Sequence, residues 1–115
     1  MNSNRPTCYV VYNDTRKNMS AAEKFGVLKD VFSSVGRVYN GDKLIEHARR
    51  VLHNWQPGDY LLLVGDPALC GICMAVALEM DEEISVLRWD RMYQDYTPLR
   101  LNFSFQEEEY DTDAV

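Results

Sequence analysis

The sequence predicts an α/β domain with a mainly parallel sheet, and three observations predict it. Two short runs, Thr7–Tyr12 (TCYVVY) and Tyr60–Val64 (YLLLV), are apolar almost throughout, as buried strands of a covered sheet are. Segments between and after them place apolar residues at helical spacing. Turn and cap residues (Asn, Asp, Gly, Pro) punctuate each change from one pattern to the other. The order reads β-α-β-α-β-α-β-β, which predicts helices on both faces, a three-layer arrangement with right-handed crossovers. The expected strand order is 2-1-3-4-5, with the last strand antiparallel at the edge.

Each element follows in turn. Residues 1–6 are polar and end in Pro6, predicting a loose arm. The first strand, Thr7–Tyr12, stops at the turn cluster Asn13-Asp14-Thr15. Ser20 and Glu23 have capping-box spacing, and Ala21, Phe25, Leu28, Phe32 and Val35 line one face of a first helix ended by Gly36. Arg37–Tyr39 is expected as a very short second strand. Asp42 is expected to cap a second helix with the stripe Leu44, Ile45, Ala48, Val51, Leu52 and Trp55 and a basic outer face of Lys43, His47, Arg49, Arg50 and His53. After the turn Gln56-Pro57-Gly58-Asp59 comes the central third strand, Tyr60–Val64. Asp66 then caps a third helix, with Pro67 at the first helical position, where a missing N–H costs nothing. That helix runs to about Met80. A fourth strand, Ile84–Trp89, and a fifth, Thr97–Phe103, close the domain through a hairpin connection at Met92–Asp95, with Pro98 suiting an edge.

One hundred and fifteen residues make a single domain, expected over 7–103, with 46% hydrophobic and 26% charged residues as in a globular protein. The longest uncharged stretch, Pro67–Leu78, is too short to cross a bilayer. No basic and apolar leader opens the chain, so no secretory signal is expected. Of the net charge of −6, five acids sit in residues 104–115 (Glu107, Glu108, Glu109, Asp111, Asp113), leaving a body near −1. Such a run predicts an acidic disordered tail, or a contact for a basic partner surface. A nearly neutral body is a poor binder of phosphate backbones, so a nucleic-acid partner is not expected. Three cysteines, an odd number, predict reduced thiols in a cytosol.

In the expected strand order the first and third strands are neighbours at the topological switch point, where open α/β sheets bind ligands. Asn13, Asp14 and Thr15 end one strand there, and Gly65 and Asp66 end the other. These five form the candidate ligand site, for a Mg²⁺ held by carboxylates or a phosphate at a helix N-terminus. Asp42 and Asp66 are equally explained as helix caps and Asn13-Asp14 as turn residues, and no Gly-rich phosphate loop is present. Cys70-Gly-Ile-Cys73 has redox spacing, but Cys70 sits a full turn inside its helix among apolar residues, which predicts buried structural thiols. Cys8, His47 and His53 add no zinc spacing, and no metal or cofactor is expected. The third helix has no charge from Ala68 to Leu78, so its outer side is expected to meet a partner or a second copy through Leu69, Ile72, Cys73 and Val76.

From Gly58 to Phe103 the chain resembles a group of small proteins encoded in tailed-phage genomes. The resemblance rests on DYLLLVGDPALCGICMAVALEM, a strand exit into a helix of small apolar residues, and on the closing VLRWDRMYQDYTPLRLNF. It implies a viral accessory protein in the cytoplasm of a bacterial host, and it carries over no activity and no catalytic residues. Two functions compete. The first is a non-enzymatic module that binds a host or virion protein. The second is a nucleotide- or phosphate-ligand protein, with or without a Mg²⁺ requirement, built on the candidate site.

Overall fold

The computed structural model describes residues 5–13, 18–33 and 40–104. Five strands, β1 (Thr7–Val10), β2 (Val27–Asp30), β3 (Tyr60–Leu62), β4 (Glu83–Asp90) and β5 (Asp95–Asn102), form one sheet. Their order is 2-1-3-4-5. β1 lies parallel to β2 and β3, β3 lies parallel to β4, and β4–β5 is antiparallel. Fold class, strand order and edge polarity are those the sequence predicts. Among the described residues two α-helices pack with the sheet, α1 (Gly41–Leu52) and α2 (Pro67–Leu78).

Because side chains alternate along a strand, the sheet divides the core in two. Tyr9, Val11, Leu61, Ile84 and Val86 pack with Ala48 and Leu52 of α1, with Leu69, Cys73, Val76 and Ala77 of α2, and with Trp55. Cys8, Val10, Leu62 and Leu87 face the other way and meet Met19, Ala22 and Phe25. Leu52, Leu61, Leu62 and Leu87 are fully buried, each worth roughly 1.5–3 kcal/mol of transfer free energy. Both α-helices therefore share one face and pack side by side. The Arg49 guanidinium of α1 forks onto the Glu79 carboxylate just past α2, with Nε donating to Oε1 at 2.9 Å. At the amino edge of the sheet Asp59, the one buried carboxylate among the described residues, accepts from the N–H groups of Thr7 and Gln56, each at 2.9 Å. It ties the start of β1 to the turn before β3.

The segment expected as the first helix folds differently. It makes one 3-10 turn, Ser20–Ala22, and then enters β2. Gly26 is the reason. A Cβ there would lie 2.4 Å from the Pro6 carbonyl oxygen, and the next residue, Val27, donates its N–H to that oxygen at 2.9 Å. The chain turns into the sheet where only glycine fits, and the presumed helical stripe is split. Phe25 and Leu28 pack with Cys8 and Val10, whereas Phe32 packs on the helix side. The second strand is thus Val27–Asp30 rather than Arg37–Tyr39, whose residues lie outside those described. The cap of α1 is Asn40, not Asp42, since Asn40 Oδ1 accepts from the Asp42 N–H at 3.0 Å. The third predicted helix is α2, ending at Leu78, with Asp66 as its cap.

Candidate functional site

Between β1 and β3 the expected ligand crevice is closed by backbone. Gly65 has φ +97°, and a Cβ on it would sit 2.2 Å from the Tyr12 carbonyl oxygen. Tyr12 in turn donates its N–H to Val64 O at 3.2 Å. Asp66 uses Oδ1 to accept from the Ala68 N–H at 2.7 Å, the work of a helix cap. Asn13 is half-buried beside them, while Asp14 and Thr15 lie outside the described residues. Among the described residues no three His, Cys, Asp or Glu side chains gather as a metal site.

Leu69, Cys73 and Val76, expected on an interface, are instead buried within the single chain, and Ile72 is half-buried. The exposed positions of α2 are Pro67, Ala68, Gly71 and Ala75. An uncharged helix exposes little apolar surface when its outward residues are this small. Cys8, Cys70 and Cys73 are free thiols. Burial pushes Cys73 up to about 12 and Cys8 up to about 11, and raises Cys70 as well. Thiolate is disfavoured at all three, the opposite of what a redox cysteine needs.

An open cleft of about 360 Å³ lies at the carboxyl edge, on the face away from the helices. Leu63 and Val64 past the end of β3 form its floor, and Asn18, Met19, Trp89 and Tyr96 its walls. The rings of Trp89 and Tyr96 meet edge to face at 5.0 Å, and the Tyr96 hydroxyl donates to Met19 Sδ at 3.0 Å. Burial raises the Tyr96 pKa, as an apolar wall should. Next to the cleft the hairpin tip Arg91–Gln94 leaves Met92 82% and Tyr93 74% exposed, and Trp89 is 47% exposed. Five of the seven exposed large hydrophobic residues among those described lie between Trp89 and Phe103. The sequence predicts only a hairpin connection for this stretch, at Met92–Asp95. Its signal was Arg88-Trp89-Asp90-Arg91-Met92-Tyr93, which concentrates on a turn the residue types that anchor protein interfaces.

Strand β5 forms the sheet edge beside the cleft, and half of that edge is blunted. Phe103 donates its N–H to Glu82 O at 2.8 Å, which with the register turns the N–H groups of residues 97, 99 and 101 toward β4. Those of residues 96, 100 and 102 point outward, as does the ring nitrogen of Pro98, which has no hydrogen to donate. The Tyr96 N–H is already bound by Asp95 Oδ1 at 2.8 Å. Near the cleft, then, no free edge donor is left to add a strand, and recognition there falls to side chains.

A family model described as Phage Pam3 gp32-like protein matches residues 6–103 of the chain. No curated protein and no solved structure matches it significantly.

Proposed function

The chain belongs to that phage family, and on this premise we propose that it works as a non-enzymatic binding module that docks a host or virion protein through the β4–β5 hairpin and the adjoining cleft. The observation that supports this is the exposed cluster of Trp89, Met92 and Tyr93 beside a concavity of side-chain size. Large aromatic and Met side chains left in water cost solubility unless something covers them, and they are the usual anchors of an interface. Among the described residues no helix is long and apolar enough to cross a membrane.

Capture of partners from phage-infected cells tests this reading. Tagged wild type should retain a protein that Trp89→Ala/Tyr93→Ala loses and that Ala75→Glu, on the exposed side of α2, retains. A partner kept by the hairpin variant and lost by Ala75→Glu would move the interface to α2 and overturn the proposal. A second reading, a nucleotide- or phosphate-ligand protein, draws support from the cleft's position outside the carboxyl end of β3, beside the overhang of β4. It predicts a rise in melting temperature with a nucleotide or phosphate, lost on Trp89→Ala.

A further inference from the structure

The half of the β5 edge away from the cleft is the open one. Arg100 and Asn102 point their N–H and C=O groups out of the sheet, and nothing among the described residues accepts from either N–H. Both ends of this window are closed. Pro98 has no N–H, and the Ser104 N–H is held by Asn102 Oδ1 at 2.9 Å. Leu99 and Leu101 pair with Val86 and Ile84, so they face the helix side, and by alternation Phe103 does too. There Leu99 is 37% and Phe103 54% exposed, with Leu101 half-buried between them. On the other side the Arg100 guanidinium is held by the Glu83 carboxylate, so this stretch offers no unpaired charge. The opposite edge of the sheet, β2, carries exposed Lys29 and Asp30, the kind of charge that protects an edge. An open edge flanked by apolar side chains is instead a template for another strand.

We infer that β5 of one copy pairs antiparallel with β5 of a second copy, about a two-fold axis at Leu101. The edge is complementary to itself in that register. Arg100 of each copy faces Asn102 of the other, and the two exchange both N–H···O bonds, so every free donor is used. Pro98 falls opposite Ser104, so the two positions with no N–H available meet each other. Leu99 falls opposite Phe103 of the second copy and Leu101 opposite its counterpart, which covers the exposed apolar residues on both sides of the axis. One step toward the hairpin would set Arg100 against Arg100, like charges directly opposed. One step the other way would leave Leu99 facing a position past Ser104. Such an axis stands perpendicular to the sheet, so both helix layers lie on one side and both clefts on the other. Tyr96 is five residues from Leu101, roughly 17 Å at strand rise. The clefts therefore lie toward opposite ends of the joined strands and stay open, and the dimer stands whatever the hairpins dock.

Sedimentation equilibrium on the full chain tests the pairing. Wild type at tens of micromolar should be dimeric, and equally so in about 0.05 M and about 0.5 M salt, because no ion pair crosses the axis. Asn102→Pro removes an outward N–H at a position in phase with Pro98 and should weaken self-association at least tenfold. Thermal melts check that this variant is folded, and Leu99→Lys, at an exposed position, should give the same loss if it is not. Leu101→Cys reads the register. Residues opposed at a non-hydrogen-bonded pair lie roughly 4.5 Å apart at Cα, within the span of a disulfide. Mild oxidation should link two Leu101→Cys copies, whereas wild type, with its thiols buried or half-buried, stays unlinked. Trp89→Ala/Tyr93→Ala should dimerise as wild type does. A monomeric wild type, a folded Asn102→Pro or Leu99→Lys chain that dimerises undiminished, or a dimer that Leu101→Cys leaves unlinked overturns the pairing. A monomeric Trp89→Ala/Tyr93→Ala chain overturns it too, because the hairpin and not the β5 edge would then hold the copies together.

Discussion

The crevice between β1 and β3 and the cleft beside β4 and β5 lie on the same carboxyl edge of the sheet, yet one is shut and the other open. At the crevice, backbone meets backbone, with Gly65 against the Tyr12 carbonyl. At the cleft, strand lengths differ. β3 ends at Leu62, whose register partner on β4 is Leu87, and β4 continues to Asp90. The overhang carries Trp89 beyond its neighbour, and Tyr96 pairs with it across the hairpin. A concavity in this fold thus comes from a strand outrunning its neighbour, not from the reversal of strand order.

The largest effect is expected where the crevice is tightest. Gly65→Ala forces a side chain onto a left-handed residue and a Cβ into the Tyr12 carbonyl. It should cost roughly 3 kcal/mol or more, since backbone has to move. Urea denaturation measures this directly. A cost below about 1 kcal/mol would mean that the crevice opens easily and that the contrast with the cleft is shallow.

Trp89→Ala should behave differently. The ring is half in water and its firm contact is the edge-to-face pair with Tyr96, so the stability loss should be about 1–2 kcal/mol. Partner capture should fall far more, at least tenfold, as for an interface anchor. Equal losses of stability and binding would make Trp89 a structural residue and the cleft an incidental one.

A third measurement asks how dry the closed side is. The buried thiols bind their protons more tightly in the folded chain than in the unfolded one, where the ordinary value is 9.0. Their contribution is complete below that value and is lost as pH rises toward about 11 for Cys8 and about 12 for Cys73. Urea midpoints should therefore hold steady to about pH 9 and fall above it. Cys73→Ala, though less stable at neutral pH, should lose part of that alkaline slope. An unchanged slope in the variant would show that water reaches the α2 side of the sheet.

What was legible in the sequence follows from how local each signal was. Tyr60–Leu62, Asp66-Pro67 and the hairpin declare themselves through neighbours in the chain, and they stand where the sequence places them. Residues 20–32 do not. Their helical spacing is genuine, but Gly26 meets Pro6, twenty residues away, and that contact outweighs the pattern. The geometry of the expected site was illegible for a related reason. Asn13, Gly65 and Asp66 do converge on one edge, but the Gly65–Tyr12 approach that closes it is tertiary and leaves no mark on either run of residues. The cleft draws Asn18, Met19, Val64, Trp89 and Tyr96 from four separate segments, so only the hairpin's composition pointed to it.

The smallest effect sharpens the comparison from the shut side. Asp66 is exposed and its carboxylate caps α2 through the Ala68 N–H. Asparagine caps about as well as aspartate, so Asp66→Asn should change stability by no more than a few tenths of a kcal/mol. Asp66→Ala removes the acceptor and should cost about 1 kcal/mol. The pair separates a cap from a ligand group, because a cap needs only an oxygen whereas a cation site needs the charge. If growth of a phage carrying the gene is unaffected by Asp66→Asn, the carboxylate acts on its own helix alone. If growth is lost while the urea midpoint is unchanged, the charge itself has a task, and the closed crevice rather than the open cleft becomes the place to look for a ligand.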